Sequence, residues 1–170
     1  MRTGLSALIV RVLWAIVLMV MNDFGFTNAG REKIWKEIAE ENRFQMKLEK
    51  ALKEVLYIGD GAFKVTIDTE ISEYPILEWY PGERIEIVRR RDRVHEIIFK
   101  TPYKSGSGVY VLNERYGYGY IINELYLNGE QVDLGVIPET KALTNWQFDK
   151  EIMLAVPLQV YESPKYEGRG

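Results

Sequence analysis

The amino-acid sequence predicts an α+β protein in which N-terminal helices pack on an antiparallel β-meander. Two observations carry this. The apolar period is three to four residues in the first third of the chain and two from Ala62 onward. The β-rich part is punctuated by short turn signals, Pro81-Gly82 and Asn128-Gly129 among them, with no helical stretch between its strands. Residues 1–57 are read as a helical arm and residues 58–170 as an antiparallel β-rich region. Together they make one domain, a size for which 170 residues suffice to build a core.

The elements follow in order. Leu5–Met21 is nearly all apolar and reads as a first helix. Arg2 before it suggests a signal peptide or anchor, but Arg11 interrupts the run. The unbroken part, Val12–Met21, is ten residues, short of the ~20 that span a bilayer. A helix packed in an interior or an interface is the expectation. Gly25, Asn28 and Gly30 break it. Arg31–Glu41 forms a short helix with Ile34, Trp35 and Ile38 on one face. Asn42 and Gln45 form a capping box for the next helix, Arg43–Tyr57. Its stripe of Phe44, Leu48, Ala51, Leu52, Val55 and Leu56 faces the core, and Lys47, Glu49, Lys50, Lys53 and Glu54 face water.

Strands are expected over Ala62–Asp68, Ile76–Tyr80, Ile85–Arg89, Val94–Tyr103, Val109–Tyr116, Tyr118–Leu127 and Gln131–Leu134. A long loop then leads to a last strand, Leu154–Glu162. In the first strand Phe63, Val65 and Ile67 share one face, and Lys64, Thr66 and Asp68 the other.

Composition excludes several chemistries. With no Cys there is no disulfide, thiolate zinc site or cysteine nucleophile. His95 is the only histidine, so any His-dependent triad or metal site would have to be built around it. A net charge of −3 provides no global attraction for nucleic acid.

Four constellations invite a functional reading. Gly59-Asp60-Gly61 follows a helix C-terminus, the wrong polarity for phosphate, and lacks the carboxylate spacing of a metal loop. It is read as a helix stop at Gly59 and a tight turn at Asp60-Gly61. Arg89–Arg93, with Arg84 nearby, is a candidate phosphate grip or a solvated hairpin turn, diluted by Glu83, Glu86, Asp92 and Glu96. The tyrosines around Gly117 and Gly119 are a candidate stacking platform, or tyrosines lining one face of a strand pair at a bend. Asp68, Glu70, Glu73, Glu78, Glu114 and Glu124 offer carboxylates for acid/base work, with no pair singled out by spacing. No catalytic, cofactor-binding or metal-ligating residue is assigned, and the chain is not expected to be an enzyme.

The ordered series of segments resembles the portal proteins of tailed bacteriophages, of the type common in phages of Gram-positive hosts. "AIVLMVMNDFGF" is similar to the family's apolar helix ending in an Asn-acidic turn. "ENRFQMKLEKALKEVLYIGDGAFKVTID" is similar to its Asn-x-Phe step, second helix and Gly-rich turn into a strand. "DRVHEIIF", "VYVLNERYGYGYIINELY" and "VPLQVYESPKYEGRG" follow in the family's order, so that the likeness spans about Ala15 to Gly170. It implies a structural protein of the phage head, at the capsid vertex through which DNA is packaged and ejected. Implied partners are other portal subunits in a ring homo-oligomer, capsid, scaffold, terminase and adaptor proteins. The implied location is the virion, after the host cytoplasm. Family members continue into stem helices, clip, tunnel loop and crown. This chain is expected to be truncated to part of the wing region, and viral double-stranded DNA is contacted only through parts it lacks. The alternative from another class is an exported or membrane-tethered β-rich binding domain, motivated by Leu5–Met21 and the Tyr-Gly repeat. An acid/base hydrolase is the third reading.

Overall fold

A computed structural model describes residues 29–106 and 108–159. The expected helix Leu5–Met21, the end of the last strand and the C-terminal loop lie outside the described residues. The chain is α+β, and among the described residues two α-helices pack on a sheet. Helix α1 is Ala29–Glu41 and α2 is Phe44–Ile58. The strands are β1 Asp60–Thr66, β2 Ile76–Pro81, β3 Ile85–Arg90, β4 Arg93–Ser105, β5 Gly108–Gly117, β6 Tyr120–Leu127, β7 Glu130–Val132, β8 Trp146–Gln147 and β9 Ala155–Gln159.

The strands divide between two antiparallel sheets. The meander β3-β4-β5-β6-β7 forms one, with β8 pairing to β6. The other has the order β2-β1-β9, with β9 returning from the far end of the described chain to pair with β1. The helices pack on this smaller sheet, through α2 against β1 and β2.

Leu48, Ala51, Leu52 and Val55 of α2 are buried, as the stripe requires. An aromatic series runs from the arm into the sheet: Trp35 to Phe44 at 5.2 Å, Phe44 to Phe63 at 6.1 Å and Phe63 to Trp79 at 4.9 Å between ring centroids. On its other side the small sheet meets one end of the meander. Ala62 and Ala155 pack there with Ile85, Ile97, Phe99 and Tyr116. A second cluster, Leu112, Leu125 and Ile137, continues on the same meander face. The loop Leu134–Leu143 covers it, with Thr140 fully buried.

Two local expectations need correction. Asn42 is not an N-cap: Arg43 holds that position in the left-handed region, with φ 47°, and makes no side-chain cap bond. The Asn42 amide is instead buried against β2. Its Nδ2 donates to Pro75 O at 2.7 Å and Ile38 O at 3.0 Å, and its Oδ1 accepts from Leu77 N at 2.7 Å. A buried amide is satisfied by fixed backbone groups on both sides, and the joint between helices is thereby tied to the sheet. Second, Asp60-Gly61 is not a turn. Both residues are the buried start of β1, because Gly59 alone makes the reversal, at φ 107° with its N–H on Val55 O at 2.7 Å.

Candidate functional site

Lys64 projects from β1 into the space between the two sheets and is 3% exposed. Its Nζ stands 2.6 Å from Glu114 Oε2 on β5 and 3.4 Å from Glu78 Oε2 on β2. Thr66 Oγ1 donates to the same Glu78 oxygen at 2.8 Å. The ammonium also lies 4.9 Å from the ring centroid of Tyr80, 5.8 Å from Phe99 and 5.9 Å from Tyr116. Burial by itself lowers the pKa of this lysine. Glu114, the Tyr116 hydroxyl, Glu78 and Tyr80 outweigh burial, and its pKa is raised. Burial pushes the Tyr116 hydroxyl up to about 12, partly opposed by Lys64.

This geometry holds two layers together. A catalytic lysine needs a lowered pKa so that a free amine is available. Lys64 is a fixed cation with two carboxylates and three aromatic faces around it. The alternation in β1 is as expected, but the face carrying Lys64 is the inner one. A strand covered on both sides has no solvent face, and small Ala62 beside Lys64 leaves room for the long side chain. Sequence reading missed this residue, because a lysine between Phe63 and Val65 carries the same pattern as a solvated strand position.

The opposite face of the meander carries a second polar lattice. Arg115 Nη2 donates to Glu96 Oε1 at 2.9 Å, and its Nη1 to Glu124 Oε1 at 3.2 Å. Tyr120 donates to Glu96 Oε2 at 2.9 Å and Tyr126 to Glu124 Oε2 at 3.0 Å. The Glu96 hydrogen bonds, against some desolvation, raise the Arg115 pKa. Cross-strand neighbours on β4, β5 and β6 are thus laced directly.

The sequence-derived candidates scatter. Of the six carboxylates, Glu78 and Glu114 converge on Lys64. Glu124 lies on the other face, and Asp68 accepts from the Glu70 backbone N–H in a loop turn. Arg91 and Asp92 form a two-residue hairpin turn with φ 50° and 61°, flanked by the directly paired Arg90 and Arg93. The tyrosines of the Tyr-Gly repeat do not share a face. Tyr116 is in the inter-sheet core, Tyr118 is half exposed at the turn, and Tyr120 crosses the outer face over Gly117. A Cβ at Gly117 would lie 2.1 Å from the Tyr120 ring, so glycine is needed for that crossing. His95 is the extra residue of a bulge in β4, where the register to β3 shifts between Val88 and Arg89.

Among the described residues no three His, Asp or Glu side chains come together as metal ligands. None of their helices is long and apolar enough to cross a membrane. No family model matches the chain, and no curated protein does.

Proposed function

We propose that this chain is a structural protein of a tailed-phage head, built as part of the wing region of a portal subunit. The observation that carries the reading is the ordered series of segments: the helix pair, the Asn42 joint, the Gly59 stop, the strand from Asp60, and the hairpins that follow. Two features of the geometry support a mechanical role. The buried ion pair joins the sheets without a reactive amine, and the Asn42 amide anchors the helical arm to β2. In this reading the wing holds its shape while other parts of the assembly handle DNA. Neighbouring subunits and capsid protein are its contacts, and the virion vertex is its place.

The DNA flanking the coding frame tests this at little cost. Frames for terminase and head proteins beside it are the expected result. Fractionation gives the opposing outcome. Recovery in a membrane or exported fraction, or loss of about the first 25 residues, overturns the portal reading. It would favour the exported or membrane-tethered binding domain, for which the apolar run Leu5–Met21 is the motive.

A further inference from the structure

We infer that the apolar segment Leu5–Met21 folds back within its own chain and covers an exposed apolar patch at one edge of the molecule, formed by Ile67, Ile71, Tyr118, Trp146 and Ile152. The inference rests on where apolar surface and charge are placed and not on the portal reading, so either can fail alone.

The patch is assembled from separate stretches of chain. Val65 N donates to Leu154 O at 2.8 Å, so the residues before β9 run beside the end of β1. Ile67 and Ile152 each lie two residues further toward the same edge. Ile71 follows Ile67 across a tight turn, in which the Ile71 and Ser72 N–H groups donate to Asp68 O at 3.2 and 3.0 Å. Gly119 N donates to Ile152 O at 2.9 Å, and Tyr118 precedes it in the β5–β6 turn. Phe148 N donates to Gly119 O at 2.9 Å, and Trp146 pairs with Ile121, so β8 adjoins the same edge. Ile67 and Ile71 are 67% and 73% exposed, and the other three lie between 47% and 59%. Scattered exposed apolar residues are ordinary. Five gathered on one edge, at positions fixed by backbone bonds, mark a surface that something covers.

Charge selects the occupant. In residues 1–21 the only charged side chains are Arg2 and Arg11. The patch has an acidic border: exposed Glu70 stands beside Ile71, and exposed Asp149 and Glu151 stand just before Ile152. Lys150 is the one cation in those stretches. An apolar segment whose only charges are positive thus meets an apolar patch with a mostly negative rim. The outer face of α2 offers no such match. Its exposed Met46 has Arg43 and Lys50 one turn away on either side, which would repel the same segment.

The covalent path is long enough for this within one copy. Tyr74 donates to Glu37 Oε2 at 3.3 Å, so α1 lies against the loop that carries Ile71. From Ala29 to Glu37 the helix rises about 12 Å. Residues 22–28 add a reach of up to about 23 Å. A segment tethered by so short a connection meets its own patch at an effective concentration on the order of millimolar. A modest contact then suffices to keep the patch covered.

Thiol labelling tests this, because a chain without Cys gives each variant a single thiol. Ile71→Cys and Ile152→Cys place it in the patch, and Met46→Cys and Val109→Cys at exposed apolar positions elsewhere. In the full chain the patch thiols should react about tenfold or more slowly than the same thiols in a chain lacking residues 1–21. The Met46 and Val109 thiols should react alike in both. The full-length variant Leu13→Asp/Val17→Asp makes the same comparison without a deletion and should free the patch thiols to the same extent. Circular dichroism checks that the β region is kept in each. Protection of the patch should not change on dilution, since the contact lies within one chain. Patch thiols that are equally reactive with and without the segment overturn the inference, as does protection found at Met46 instead. Protection that is lost on dilution also overturns it and assigns the patch to a second copy. Flotation of the full chain with phosphatidylcholine vesicles, its patch thiols reactive, overturns it too and assigns the segment to a lipid surface.

Discussion

Lys64 Nζ and Glu114 Oε2 lie 2.6 Å apart on strands of two different sheets. This pair sits where the small sheet meets the meander, beside the Phe99 and Tyr116 rings. Removing one partner leaves a buried charge without compensation. Lys64→Met should cost about 3–5 kcal/mol at neutral pH, read as a fall in the urea midpoint. Lys64→Met/Glu114→Leu should recover much of that, since the more deeply buried carboxylate goes with the lysine, while Glu78, partly exposed, keeps its hydrogen bond from Thr66. A single variant as stable as wild type would remove the pair from the account of how the sheets are joined.

Alkaline pH provides a second handle. The folded pKa of Lys64 is raised above 10.5, and that of Tyr116 is raised from 10.0 to about 12. Both shifts have the same sign in linkage. The stability each confers is fully present below its unfolded value and drains away as pH rises through its folded value. Unfolding midpoints should therefore fall from about pH 10 upward, through the range in which Tyr116 titrates. Tyr116→Phe should flatten the part of that slope up to about pH 12. An identical slope in the variant would count against the shift.

Asn42 ties the helical joint to β2. Asn42→Ala leaves Leu77 N–H and Pro75 C=O without their partner, at an expected cost of about 2–3 kcal/mol. Hydrogen exchange at the Leu77 amide should accelerate more than that at Phe99, whose amide lies in the meander. Equal acceleration at both sites would indicate global destabilisation and no local anchor.

The β3–β4 turn is suboptimal at Asp92, with φ 61°. Asp92→Gly should raise stability by about 0.5–1 kcal/mol, measured by denaturant titration. The Arg89 contact is made to the Asp92 backbone carbonyl and survives the change. A loss of stability would show that the Asp92 side chain has a role in the tip.

Gly117→Ala places a methyl where the Tyr120 ring crosses. It should cost about 1–3 kcal/mol and displace the Tyr120 hydroxyl from Glu96. Tyrosine fluorescence or the Tyr120 ring resonances would report that displacement, and an unchanged ring environment would refute it.

The fold class was readable because it rests on local rules. Leu48, Ala51, Leu52 and Val55 repeat at helical spacing, Asn128-Gly129 takes the positive φ angles of a hairpin turn, and Gly59 stops α2 at φ 107°. Each is decided by neighbours within a few residues. The burial of Lys64, the partners of Asn42, the parting of Tyr116 from Tyr120 and the order β2-β1-β9 were not readable in that way. Period two says which residues share a face of β1, but not that both faces are covered. That depends on α2 lying across one face and on the meander closing the other, while β9 closes the edge of β1 from 91 to 99 residues away. Local chemistry selects the elements. Only their packing decides which polar residue is enclosed between them, and an enclosed charge must then find its partner on another strand.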